Sequence, residues 1–225
     1  MLCELKYIMY RRKFIQNIAL LALISPFIKL NASTNKRIVV VGAGIVGTSI
    51  AYELSNLGIK TILIDKYKAG SGTSNSSFNW INATYPKKPY SYNYLAQLGI
   101  KAFKDIQNEL NYDIQWNGSL EWVNSKKSQK ELIDEVKKLM QYQTFTKHKI
   151  INYKKANILE NKLDFRNNIN IVYSEEDGVI ETNEFIRLLI DRIHFNGSKV
   201  LEECEFESIK YTNNTISSII TSKGE

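Results

Sequence analysis

"KRIVVVGAGIVGTSIAYEL", residues Lys36 to Leu54, sets the fold class. Ile38-Val39-Val40-Val41 is an uninterrupted β-branched run, as expected of a parallel strand buried on both faces. Gly42, Gly44 and Gly47 follow at GxGxxG spacing. The first glycine permits a tight turn, the second lets backbone approach a diphosphate, and the third lets a helix pack closely on the strand. Ile45, Val46, Ile50, Leu54 and Leu57 recur at helical spacing and predict the packed face of that helix, which Gly58 ends. Thr61-Ile62-Leu63-Ile64 predicts a second buried strand. It runs into Asp65, 18 residues beyond Gly47, where an acid accepts ribose hydroxyls. A diphosphate at this helix start, beside Ala43 to Val46, would meet free N–H groups and the positive end of the helix dipole. Asp65 argues against a 2′-phosphorylated cofactor, because the two negative charges would repel. On the turn alone, NAD and FAD both remain open.

The residues after Asp65 separate the two. "KYKAGSGTSNSSFNWINATYPKKP", Lys66 to Pro89, is a loop rich in Gly, Ser, Thr and Asn and short of core-forming residues. A nicotinamide-type domain would pass to another compact βα unit. A long polar loop here reads as chain bending around the rest of an elongated ligand. Trp80 and Asn82, just beyond the serine-rich part, are the candidates for the flavin and substrate side. The tyrosine-rich Tyr85 to Tyr94 is open between a substrate mouth and plain packing.

Composition bounds the alternatives. The chain has 225 residues, 44% hydrophobic and 24% charged, enough for one large domain or one and part of a second. Of the net charge of +7, residues 1–32 supply +4 through Lys6, Arg11, Arg12, Lys13 and Lys29 against Glu4. The remainder shows no basic stripe, which excludes nucleic acid as the expected partner. Cys3 and Cys204 make no CxxC or metal-ligating cluster, so no metal is expected. His148 and His194 are isolated in polar, helix-like contexts and read as surface residues. Residues 1–34 form a leader with a basic start, an apolar stretch from Phe14 to Ile28 and a small-residue end. Gln16, Asn17 and Pro26 interrupt that stretch, which is too short and impure for a membrane span. Arg11-Arg12-Lys13-Phe14-Ile15 resembles the twin-arginine export signal. Periplasmic or membrane-associated location is the expectation, against an uncleaved anchor or a merely apolar N-terminal helix of a cytoplasmic protein.

The chain resembles the FAD-dependent amino-acid oxidoreductases of the D-amino-acid oxidase, glycine oxidase and sarcosine oxidase family. "VVVGAGIVGTSIAYELSNLG" with "TILIDK" matches the family's first FAD motif, which assigns Gly42, Ala43, Gly44, Ile45, Val46, Gly47, Asp65 and Lys66 to the cofactor. "GSGTSNSSFNWINA" looks like its second cofactor loop, assigning Gly72, Thr73 and Ser74. "WNGSLEWV", Trp116 to Val123, resembles the strand entering the substrate-side sheet. "EDGVIETNEFIRLLIDRIHFNGSKVLEECEFESI" looks like the return to the FAD domain, with Phe206 flanking the adenine. Asn161 and Asn183 stand where the family commonly has proline, which touches loop geometry rather than chemistry. The resemblance implies an α/β fold: a Rossmann-like (GR2-type) FAD-binding domain in two parts, 36–87 and 171–225, with a mixed α+β substrate-side region, 88–170, inserted between them. It also implies that the chain stops before the strand that closes the FAD sheet and before the cation that clamps a substrate carboxylate. The positions of Arg166, Arg187 and Arg192 assign none of them to that clamp.

The activity implied is oxidation of the amine carbon of a small amino acid or N-methyl amino acid. Hydride passes from the α-carbon to flavin N5 and the imine then hydrolyses, with dioxygen or a membrane quinone as acceptor. A truncated, catalytically silent FAD-binding protein or gene remnant is the alternative, followed by an NAD-dependent Rossmann dehydrogenase. Cys204, far along the chain from the glycine turn, is a poor candidate for a covalent flavin link. Between the cofactor motifs, helices are expected over Tyr92 to Leu110, with Leu95, Leu98, Phe103, Ile106 and Leu110 on its face, and after a Ser128-to-Glu131 capping box. That second helix carries a Leu132, Val136, Leu139 and Met140 stripe. Short strands are expected near 112–124 and 165–173. Thr182 is expected to cap a helix through His194, and strands follow over Lys199 to Tyr211 and Ile216 to Thr221.

Overall fold

The computed structural model describes residues 37–83, 87–141, 147–165 and 169–225. The leader, Lys36, Tyr85 and Arg166 lie outside them. In chain order the elements are β1 (Ile38–Val41), α1 (Ile45–Asn56), β2 (Thr61–Ile64), β3 (Trp80–Ile81), α2 (Tyr90–Leu110), β4 (Ser119–Glu121), α3 (Lys126–Met140), β5 (His148–Asn152), α4 (Tyr153–Leu159), β6 (Asn170–Ser174), β7 (Gly178–Val179), α5 (Thr182–Phe195), β8 (Lys199–Leu201), β9 (Phe206–Thr212) and β10 (Thr215–Thr221).

Three strands in the order β1-β2-β8 make the sheet that carries the glycine turn, with β2 and β8 parallel. β2 is central and nearly all buried. β1, expected to be buried throughout, is an edge among the described residues, and Val41 is 57% exposed. Helices α1 and α5 pack together, and Leu63, Ala51, Tyr52, Phe185, Leu189 and Ile193 form a continuous core with Ile81, Ile100 and Ile114. Phe185 is its hub, with the rings of Phe103 and Tyr112 5.6 and 5.5 Å away.

Of the face expected for helix α1, Ile45 packs on the core, but most of it is turned outward. Val46, Ile50 and Leu57 are exposed, and the buried residues are Thr48, Ala51, Tyr52 and Ser55. The close approach at Gly47 favours Thr48, Ala51 and Ser55 on the inner face, with Tyr52 beside them, which apolar periodicity alone does not reveal. Helix α2 packs Phe103, Ile106 and Leu110 on the main core as expected, but its first turns differ. It buries Asn93 and Gln97 while Leu95 is 62% exposed, because the Asn93 amide donates to the Ala83 carbonyl and the Gln97 amide donates to Asn93 Oδ1.

The inserted part is an antiparallel sheet, β4-β6-β5, with α3 on one face, where Leu132, Ile133 and Val136 pack on Val172. The helix begins earlier than the expected capping box. Ser125 is the N-cap, its Oγ accepting from Ser128 N–H at 3.0 Å, and Met140 is 38% exposed. Ile151, Ala156, Phe165 and Ile171 form a second small core. The two-residue strands β3 and β7 pair antiparallel, Trp80 against Val179. Glu181, not Thr182, is the N-cap of α5, and the Thr182 hydroxyl instead donates to Asn79 Oδ1 at 2.6 Å.

Candidate functional site

The glycine turn is shaped by a left-handed backbone at Gly42 and by a close backbone contact at Gly47. Gly42 has φ +103° and donates its N–H to Ile64 O, so the turn is tied to the end of β2. A Cβ on Gly47 would lie 1.9 Å from Gly42 O and 3.5 Å from Val40 Cγ1; one on Gly44 would lie 3.0 Å from Ser74 Oγ. Ala43 is fully buried. Its N–H donates to Asp65 Oδ2 at 2.7 Å and its carbonyl accepts from Gly70 N–H at 2.9 Å. The second Asp65 oxygen accepts from Tyr67 N–H at 2.8 Å. At the start of α1, Ile45 N–H donates to Ser74 Oγ at 3.0 Å, whereas the N–H groups of Val46 and Gly47 meet no protein acceptor among the described residues.

These pieces line one cleft of about 520 Å³ with Val41, Gly42, Gly44, Asp65, Lys66, Gly72, Thr73, Ser74, Cys204 and Phe206 among its walls. Its volume suits a small-molecule site, about 300–1,000 Å³. Ala43, Ile45, Val46 and Gly47 belong to the turn and helix start rather than to the lining. Trp80 and Asn82 lie outside it, where the same loop runs on into β3.

Several participants were not expected from sequence. Cys204, which follows β8 rather than lying in a strand, is buried in this wall, its N–H donating to Asp65 O at 2.7 Å. Distance along the chain was therefore a poor reason to set it apart from the turn. Glu202 accepts from Ala69 N–H at 2.8 Å and pairs with Lys68, and chiefly that N–H bond holds its carboxyl below the usual range. Asn183, the departure from proline, donates to Asn75 Oδ1 at 2.5 Å. Its Oδ1 lies where a Cβ on Gly70 (φ +76°) would meet it at 2.6 Å. The 66–75 loop is thus braced from the residue after β8 and from α5.

A second polar cluster joins β3 to the inserted sheet. Asp177 is fully buried and accepts from Ala83 N–H at 3.2 Å, Ser119 Oγ at 2.6 Å and Ser174 Oγ at 3.2 Å. Beside it, burial and the Asp177 charge raise the pKa of Glu121, against the pull of Lys87. His148, expected at the surface, is 2% exposed on β5 opposite Ser174, and neither ring nitrogen has a partner among the described residues. Burial pulls its pKa below the ordinary value, against the Asp177 and Glu176 carboxylates, which raise it. A depressed folded-state pKa means that the unfolded chain binds the proton more readily. The contribution of His148 is therefore fully present above about pH 6.5 and is lost as pH falls below it, at most about 1.4 kcal/mol per pH unit. In urea unfolding at pH 7.5 and 5.5, His148→Phe is expected to lose less stability between the two than the wild type. Equal losses would show that His148 does not titrate with folding. No cluster of three His, Cys, Asp or Glu suited to a metal occurs among the described residues, and no described helix is long and apolar enough to cross a membrane.

Residues 37–225 match DAO, described as FAD dependent oxidoreductase. The chain belongs to this family. Its cofactor is FAD, and the family is one of FAD-dependent oxidoreductases. A probable sarcosine oxidase of Arabidopsis thaliana is 32% identical over 81 residues, which are 35% of this chain and 19% of that protein. Among solved structures, an L-proline dehydrogenase of P. horikoshii superposes with TM-score 0.75 at 24% identity, over 84% of this chain and 50% of that one. A glycine oxidase of Bacillus cereus gives 0.71 at 21% identity, over 84% and 52%. An L-amino acid deaminase of Proteus vulgaris gives 0.76 at 19% identity, over 84% and 44%. These likenesses establish the DAO-family fold, and the chain spans about half the length of the solved relatives it matches.

Proposed function

We propose that the cleft holds the adenosine diphosphate part of FAD and that the protein oxidises the amine carbon of a small amino acid or N-methyl amino acid. The observation that carries the cofactor reading is the convergence of Gly42, Gly44, Asp65, Gly72, Thr73, Ser74 and Phe206 on one cleft. The chemistry of these groups suits the ligand. The N–H groups of Val46 and Gly47 are donors in need of an acceptor, as a diphosphate provides. The Asp65 carboxylate already accepts two N–H bonds and retains lone pairs for ribose hydroxyls. Phe206, 36% exposed, offers an apolar face to adenine, and Lys66 adds a cation to the same wall. When bound, FAD supplies the two-electron acceptor. The chain itself binds and orients: the loop that leaves the cleft at Ser74 leads to Trp80 and Asn82, which we assign to the flavin and substrate side. The amine reading is supported by the sarcosine oxidase and glycine oxidase likenesses. Residues 1–34, with Arg11-Arg12-Lys13-Phe14-Ile15, are read as a twin-arginine leader directing the protein to the periplasm or membrane. A reporter fused to them should lose export when both arginines become lysine, and unchanged export would remove this reading.

Reconstitution tests the main proposal. The purified chain, dialysed after incubation with FAD, should keep flavin absorption bands displaced from those of free FAD, and anaerobic sarcosine or glycine should bleach them. A folded but colourless protein that binds NAD would overturn the cofactor assignment. Bands retained without bleaching by sarcosine, glycine or proline would overturn the amine assignment alone.

A further inference from the structure

Burial alternates from Trp80 through Ala83 and shows which way Asn82 looks. Ile81 and Ala83 are buried in the main core, so Trp80 and Asn82 take the other side. Phe78, 86% exposed, meets Trp80 edge-on there at 6.1 Å. The Lys87 ammonium donates to the Asn82 backbone oxygen at 3.1 Å and also to Asn82 Oδ1. An ammonium has three donors and no acceptor, so the amide oxygen must be the atom turned toward it. The NH2 of Asn82 is thereby turned away, and it has no protein acceptor among the described residues. Lys87 is itself constrained: its side chain is half-buried and lies in the field of the Asp177 and Glu121 carboxylates. Asp177 in turn holds the N–H of Ala83, the residue next to Asn82.

We propose that Lys87 is a positioning residue that locks the Asn82 amide with its NH2 outward, making Asn82 a hydrogen-bond donor on the Trp80 face. The group met there is an acceptor, either a carbonyl of the flavin ring or the carboxylate of an amino-acid substrate. The identity of that ligand rests on the FAD-oxidoreductase reading; the lock does not.

The test begins on the apo protein. The side-chain amide resonances of Asn82 in 15N-correlated NMR spectra should move in Lys87→Met and return in Lys87→Arg. Resonances that stay in place in Lys87→Met would overturn the lock. The donor role is then read on the FAD-loaded chain titrated with acetate, a carboxylate without an amine. If the acceptor is a flavin carbonyl, Lys87→Met and Asn82→Asp should both alter the flavin absorption spectrum and weaken FAD binding about tenfold, the worth of one good hydrogen bond. If it is a substrate carboxylate, the spectrum and FAD affinity should hold while acetate binds about tenfold more weakly. FAD and acetate affinities that both stay within about twofold would overturn the donor role. A wild-type chain that takes up no FAD would overturn the cofactor reading and this donor role with it, while the NMR result would still decide the lock.

Discussion

Gly47→Ala is expected to abolish retention of FAD and to lower the stability of the apo protein by about 2–3 kcal/mol, at the upper end of what overpacking costs. The added Cβ would stand 1.9 Å from Gly42 O. That oxygen belongs to backbone already tied to Ile64 through the Gly42 N–H, so neither partner can yield by a side-chain rotation. Helix α1 must move away from the turn, and it carries with it the unpartnered N–H groups of Val46 and Gly47. An affinity loss of at least about a hundredfold, roughly 2.7 kcal/mol, is expected in FAD titrations. Gly72→Ala is the control. Its Cβ would meet nothing within 4 Å, so thermal unfolding of the apo protein should change by no more than about 0.5 kcal/mol. A Gly47→Ala protein that is folded and binds FAD as tightly as the wild type would show that the start of α1 does not seat the diphosphate.

The turn, Asp65, the 72–74 loop and Phe206 can be picked out in sequence because each answers to a local requirement: a spacing, a missing Cβ, a charge at a strand end. What brings them to one cleft is harder to see. The braces on the loop are Glu202 on Ala69 and Asn183 on Asn75, 133 and 108 residues apart. No periodicity links such pairs. The inner face of α1 escaped for a different reason. Apolar period identifies a helix, but the face that meets the sheet is chosen by how near the backbones come, and at Gly47 they come near enough to favour Ala51 and Ser55 over Val46 and Ile50. Asn93, Gln97 and His148 are buried against their polarity. For the two amides the compensation is a hydrogen bond to a partner that only the folded chain supplies. His148 has no such bond, and the acids near it offset part of its burial.

Asp177→Ala is expected to destabilise the protein by about 3 kcal/mol or more, because it strands two buried donors and a half-buried one at once. The carboxylate takes the Ala83 N–H from the exit of β3, the Ser119 hydroxyl from β4 and the Ser174 hydroxyl from β6. Ser119 and Ser174 are register partners, so one side chain closes the end of the inserted sheet and fastens it to the strand leading toward Asn82. Each orphaned donor costs about 1–3 kcal/mol, and relief of the buried charge returns part of that sum. At about 2–4 °C per kcal/mol for a chain of this size, the melting temperature should fall by about 6–12 °C. Asp177→Asn keeps one acceptor oxygen and the shape, so its loss should be smaller, about 1 kcal/mol. It also removes the negative charge that helps raise the Glu121 pKa, and Glu121 should then ionise at lower pH in the variant. The cofactor cleft shares none of these bonds, so below its melting temperature Asp177→Ala should still bind FAD within about threefold of the wild type. Urea unfolding that leaves Asp177→Ala within about 1 kcal/mol of the wild type would refute the fastening role. A folded Asp177→Ala that loses FAD altogether would mean that this cluster and the cleft are one energetic unit.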